Sequence, residues 1–150
     1  LDGALFNKAT LANISFKKAK LASASFIEAD ITGADFTSAN LNAAHFQKAV
    51  LDKDTKFDEA DLTSANFTDV DFKKASLKNA NLTNTIFTDA NLQGANLTGA
   101  TFPLESKNIQ HAKFDKTTLL DSIKINPQGP SLKKEDFIQQ LKSFGAIFVN

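Results

Sequence analysis

The sequence has no cysteine, no methionine and no arginine among its 150 residues. Without cysteine there are no disulfides and no thiol chemistry, although that absence identifies no compartment. Without arginine, lysine alone supplies the 17 cationic side chains that balance 17 acids, and the formal net charge is zero. Such a balance gives a phosphate backbone or an anionic membrane no field to follow, so direct nucleic-acid binding is not expected. No apolar run approaches the roughly 18 residues that span a bilayer, and no signal-peptide pattern opens the chain, so membrane insertion is not expected. There is no glycine-rich phosphate loop. The missing methionine includes the initiator. Since Leu1-Asp2-Gly3-Ala4-Leu5-Phe6 already reads as a repeat in mid-stride, the chain is read as a processed protein or an excised fragment.

What is present is a period. Every fifth residue from Leu1 is Leu, Ile or Phe: Phe6, Leu11, Phe16, Leu21, Phe26, Ile31, Phe36, Leu41, Phe46 and Leu51. One step of six leads to Phe57, and the rhythm resumes through Leu62, Phe67, Phe72, Leu77, Leu82, Phe87, Leu92, Leu97 and Phe102. Two residues before each of the last 20 of these lies a second position, which is Ala in 16 cases; the exceptions are Ile14, Thr55, Val70 and Thr85. The other three positions of the unit are mostly Asp, Asn, Ser, Thr, Lys and Gln.

A period of five excludes the ordinary elements. On a helix, at about 100° per residue, the large residues would scatter around the axis. On a straight strand an odd period would send them to alternate faces. A backbone that turns a corner after each short extended segment brings all of them to one interior, and four such sides close a square of 20 residues. That interior is narrow, which explains one large residue and one Ala per side at close-packed density. From Phe6 to Phe57 the large positions alternate Phe with Leu or Ile, which places Phe on two opposite sides. The six-residue step at Asp52-Lys53-Asp54-Thr55-Lys56 returns Phe57 to a Phe side and predicts a one-residue bulge at a corner. From Phe72 the alternation lapses, so less regular packing is expected there.

The units Ala-Asp-Leu-Thr-Ser (60–64), Ala-Asn-Leu-Gln-Gly (90–94) and Ala-Asn-Leu-Thr-Gly (95–99) resemble the A(D/N)LXX signature of the pentapeptide-repeat family. The resemblance covers about two thirds of the chain. It implies an all-β solenoid, a right-handed quadrilateral β-helix; handedness comes from the resemblance, not the period. At about 4.8 Å between stacked strands, five coils make a rod on the order of 25 Å long.

Phe102-Pro103 ends the clean pattern. Ile109, Phe114 and Leu119 keep the five-step and Ala112 keeps its place before Phe114, so one degraded coil is expected. Asn126-Pro127-Gln128-Gly129-Pro130 predicts a loop. Ser131 suits the N-cap of a helix of about 12 residues, with Glu135 and Asp136 near its positive end. Phe137, Ile138, Leu141 and Phe144 share one face and Gly145 suits the stop. A solenoid leaves its last coil open, and this short C-terminal α-helix is the expected cap. Ala146-Ile147-Phe148-Val149-Asn150 also reads as a new repeat. The chain thus divides into a solenoid over 1–125, regular over 1–102 and degraded over 103–125, followed by a loop, capping helix and tail over 126–150. No cap is visible at the N-terminal end, so an open solenoid end could pair with a second copy.

Chemistry-bearing residues are few. The strict inward register makes the Phe ladder a core rather than a stacking platform. His45 and His111 lack any Cys or matched carboxylate spacing, so they read as two surface imidazoles and not metal ligands. Ser and Thr fill outward positions with no base in a nucleophile pattern. Four Asn-X-Ser/Thr sequons, at Asn13, Asn66, Asn81 and Asn96, are written automatically by the repeat. No catalytic residue, cofactor site or metal site is expected, and no binding residues are assigned. Leu5, Ile27, Val50 and Ile86 are apolar where polar residues are the rule, but the register spreads them over different coils and sides. The reading is therefore a non-enzymatic scaffold for a protein partner, with display columns such as Lys20, Asn40, Asp61, Asn81 and Thr101.

The alternative is inhibition of a type II topoisomerase (gyrase) by DNA mimicry, since the quinolone-resistance members resemble acidic, dimeric rods with sizeable loops. B-DNA carries about one negative charge per 1.7 Å, which asks for about fifteen net negatives on a rod this long. Residues 1–102 hold 12 acids and 10 lysines, a net of −2. One stripe gathering Asp30, Asp35, Asp61 and Asp71 away from the lysines would favour mimicry.

Overall fold

A computed structural model describes residues 1–102, 108–124 and 131–149. Each five-residue side ends in the same turn. The N–H three residues beyond a core position donates to that position's carbonyl, as in Ala4 to Leu1, Ala9 to Phe6 and Ala24 to Leu21, each at 3.0 Å. The residue two beyond the core position takes a positive φ, the type II pattern. Gly3, Gly33, Gly94 and Gly99 do this at φ 65–72°, and Lys8, Glu28 and Lys48 adopt the same backbone at 57–60°. A non-glycine residue held there costs roughly 1–2 kcal/mol, so the flanking rungs and core must over-determine it.

Four such sides bring each outward residue onto its counterpart twenty residues later. Leu5 pairs in parallel with Ser25, Ser25 with His45, Thr10 with Asp30 and Lys20 with Asn40. Leu, Ile, Phe and Ala point inward, and from Leu21 to Phe102 every large core position is 2% exposed or less. The Phe–aliphatic alternation appears as two ring stacks. Phe6, Phe26, Phe46 and Phe67 lie nearly parallel at 4.7–5.0 Å, and Phe16, Phe36 and Phe57 at 5.0 Å. Rings of the two stacks meet edge to face at 5.5–5.9 Å, the geometry the ring quadrupole favours. Where the alternation lapses, Phe72 tilts by 52° and 55° to Phe67 and Phe87.

The bulge lies where the six-residue step predicts it. Ladder spacing changes from 20 between Asp30 and Val50 to 21 between Asp35 and Lys56. Asp52 organises the wider corner. Its Oδ1 accepts from the N–H groups of Gly33, Asp54 and Thr55 and from the Thr55 hydroxyl. Thr55 takes the usual Ala position, fully buried, with its hydroxyl also 3.2 Å from the Ile31 carbonyl.

Beyond residue 107 the coil continues, with one correction. Ile109 and Phe114 point inward as expected, but Leu119 is 42% exposed and Leu120 is buried in its place. The cause is a second six-residue corner. Asp115 Oδ1 accepts from the N–H groups of Gly94, Thr117 and Thr118, and buried Thr118 reaches the Leu92 carbonyl. Five-step counting therefore falls one residue short. The loop expected at Asn126–Pro130 lies outside the described residues.

Helix α1 spans Lys134–Ser143, ten residues, shorter than expected. Ser131 is not its N-cap; that position is Lys133, with no side-chain cap. Ser131 is engaged elsewhere, in an antiparallel bridge with Lys124 and through its hydroxyl to the Ser122 carbonyl. Phe137 and Leu141 are fully buried, and the Phe137 ring meets Phe102 edge-on at 5.6 Å, which closes the core. Gly145, at φ +88°, ends the helix. The chain then rejoins the ladder. Strand β1 (Lys113–Asp115) pairs in parallel with β2 (Ile147–Val149), with Phe114 opposite Phe148 and the rings stacked at 5.4 Å. Ala146, Ile147 and Phe148 thus occupy the small, outward and core places of one more rung; Asn150 lies outside the described residues.

Candidate functional site

The outward surface consists of four columns. One runs Lys20, Asn40, Asp61, Asn81, Thr101, Lys124, the display column expected from the period with one rung added. A second runs Leu5, Ser25, His45, Asn66, Ile86. The third holds Thr10, Asp30 and Val50, then Asp71, Asn91, Lys113 and Ile147; the fourth runs Ser15, Asp35, Lys56, Ser76, Asn96, Leu119.

Most acidic and amide side chains in these columns are engaged with their own backbone. The Oδ1 atoms of Asp30, Asp35, Asp61, Asn66 and Asn81 each accept from both the N–H and the hydroxyl of the Thr two residues on. This Asx turn explains the Asp/Asn-x-Thr wording of the repeat. Burial alone would raise the Asp35 carboxyl, but its bonds to Thr37 and Lys17 outweigh that and hold it below the usual carboxylate range.

The four acids that mimicry would require in one stripe lie on three sides. Asp30 and Asp71 share a side with Val50 between them, Asp35 belongs to the column of Lys56, and Asp61 to that of Lys20. Leu5 and Ile86 share a side but are separated by Ser25, His45 and Asn66. Leu5 and Val50 are exposed, whereas Ile27 and Ile86 are half-buried. His45 is an exposed column residue, and His111 Nδ1 lies 3.1 Å from Asp89 Oδ1 on the surface. Among the described residues, no three His, Cys, Asp or Glu side chains come together as metal ligands. Nor is any described helix long and apolar enough to cross a membrane.

A family model described as pentapeptide repeats, eight copies, matches residues 1–37, 32–73, 53–84 and 65–102. The chain belongs to the pentapeptide-repeat family. Its coil is accordingly the right-handed quadrilateral β-helix of that family, closed by one short helix. Among solved pentapeptide-repeat structures, a trypsin-treated variant of QnrB1, a plasmid-mediated fluoroquinolone resistance protein, superposes with a TM-score of 0.65. The match has 21% identity and covers 99% of this chain and 74% of the other, which is a likeness of fold. Rfr23 from the cyanobacterium Cyanothece 51142 is 27% identical over 79% of this chain and 89% of its own, at a TM-score of 0.46. A pentapeptide-repeat protein of the Arabidopsis thaliana thylakoid lumen is 26% identical over 95% and 87%, at 0.37. No curated protein matches this pentapeptide-repeat sequence significantly.

Two features escaped sequence reading. The turn-organising role of Asp and Asn is hidden in the sequence because the same residues are also common on any polar surface. The second wide corner does carry a signal, since Asp115-Lys116-Thr117-Thr118 repeats the Asp-Lys-x-Thr wording of residues 52–55.

Proposed function

We propose that this chain is a non-enzymatic scaffold whose outward columns bind a protein partner. The observation that carries this reading is the column structure itself. Stacked rungs hold mixed polar side chains at fixed spacing, many of them locked by Asx turns before any partner arrives. Little ordering entropy is then left to lose on binding, the advantage of a preorganised surface. The family's members are generally structural or interaction proteins.

The test is capture from a lysate of the source organism on the immobilised chain, with charge-reversed controls. Lysines are the side chains to reverse, because the Asp carboxylates hold corners together. Lys20→Glu with Lys124→Glu alters one side, and Lys56→Glu alters another. A single protein retained by the chain and lost with one variant supports the scaffold and names its face. No specific capture defeats the reading, and capture that neither variant changes assigns the partner to one of the other two columns. Capture of a type II topoisomerase would put the DNA-mimic alternative in its place. That alternative has less behind it, since the likeness to QnrB1 is one of fold and the acids are dispersed among lysines.

A further inference from the structure

We propose that a cleft between the capping helix and the last coil binds a small amphiphilic carboxylate, an acyl chain or aromatic ring that ends in a carboxylate. The cleft has a volume of about 480 Å³, within the roughly 300–1,000 Å³ typical of ligand pockets. Three elements build it. The second six-residue corner contributes Asp115, Lys116 and Leu120. Helix α1 contributes Lys134, Ile138 and Lys142, four residues apart and so on one stripe beside the core-facing Phe137 and Leu141. The returning strand β2 adds Phe148.

Floor and rim demand different things of an occupant. Leu120, Ile138 and Phe148 make an apolar floor, and Lys142 Nζ stands 5.4 Å from the Phe148 ring centroid. Lys116, Lys134 and Lys142 have no carboxylate within ion-pair distance among the described residues, whereas Lys8, Lys17 and Lys53 on the rod do. The acid at the cleft, Asp115, is already occupied by Gly94, Thr117 and Thr118. Three lysines against one engaged carboxylate leave the rim positive. A simple inorganic anion would leave the floor wet, and a neutral hydrophobe would forgo the attraction of the three ammonium groups. Lysines present point charges rather than the planar fork of arginine, which suits a single carboxylate approaching from several angles.

Octanoate titrated into the full chain at low salt, followed by amide and methyl NMR shifts, tests this directly, with acetate and 1-octanol as comparators. Saturable octanoate shifts at Ile138 and Phe148, weakened by added salt, with neither comparator saturating, are expected. Lys134→Gln with Lys142→Gln should weaken octanoate about fivefold in Kd, with circular dichroism confirming that the fold persists. No octanoate saturation below about 10 mM, equal binding of octanol or acetate, or indifference to the lysine replacements would overturn the proposal.

Discussion

Asp52 concentrates in one carboxylate what the turn needs. It accepts three backbone N–H groups and one hydroxyl. Burial pushes its carboxyl up, but these bonds outweigh burial and leave it below the usual range. Asp115 is lowered first by the Thr117 hydroxyl, against some desolvation, and Asp35 shifts the same way. The sign for stability follows. Groups lowered in the folded state stabilise it fully above the ordinary carboxyl pKa of about 3.9. The unfolded chain takes up protons first as pH falls, so that stability is lost through the folded pKa values. Thermal melting should therefore drop below about pH 4, and Asp52→Asn should flatten the acid limb. At neutral pH, Asp52→Ala should cost about 2 kcal/mol through its lost charge-assisted bonds. Asp54→Ala, which removes only an exposed contact with Lys53, should stay within about 0.5 kcal/mol. Urea titration of both variants distinguishes a corner organiser from a surface acid. Thr85 works similarly from inside the coil, with its buried hydroxyl 2.8 Å from the Leu62 carbonyl. Thr85→Val should cost about 1 kcal/mol, because that carbonyl keeps the Ala65 N–H as partner.

Rungs and corners were legible in unequal degree. The inward Leu, Ile and Phe fixed the sides, the first bulge and both ring stacks, because a narrow interior admits only one large residue per side. Leu119 misled because register after Phe114 is set by the Asp115–Thr118 hydrogen bonds, which override hydrophobic period. Ser131 misled because helix capping competed with a bridge to Lys124. The cleft could not be read at all, since it exists only where β2 returns beside α1. The first wide corner has its own consequence for the ladder. Among the described residues, Val50 and Asp71 form no bridge, and neither the Leu51 nor the Asp71 N–H donates to a backbone carbonyl across that step. Lys73 and Lys74 both take positive φ beside it, whereas other five-residue corners such as those at Ser64 and Asp69 have one. The ladder is thus open on one side between the third and fourth coils. Hydrogen exchange should show the Leu51 and Asp71 amides less protected than those of Leu41 and Asp61, whose ladder bonds measure 2.8 and 2.9 Å. Equal protection would mean that the step closes in solution.

A stack whose coils touch only their neighbours responds to damage according to where the damage falls. Phe46 is fully buried and contacts Phe26, Phe36, Phe57 and Phe67, with rings above, below and across. Phe6 is only partly buried and meets Phe16 and Phe26 alone. At the other end Phe137 is buried against Phe102, so the two ends differ in how well they are closed. Phe46→Ala should therefore cost about 4 kcal/mol and move the main unfolding transition, because a cavity at mid-stack separates neighbours on both sides. Phe6→Ala should leave that transition nearly unmoved and lower protection only in the first coil, since Phe6 is partly exposed and has fewer ring contacts to lose. Denaturant melts read alongside residue-level exchange make the comparison. If Phe6→Ala shifts the main midpoint as far as Phe46→Ala does, the rod unfolds as one body from end to end.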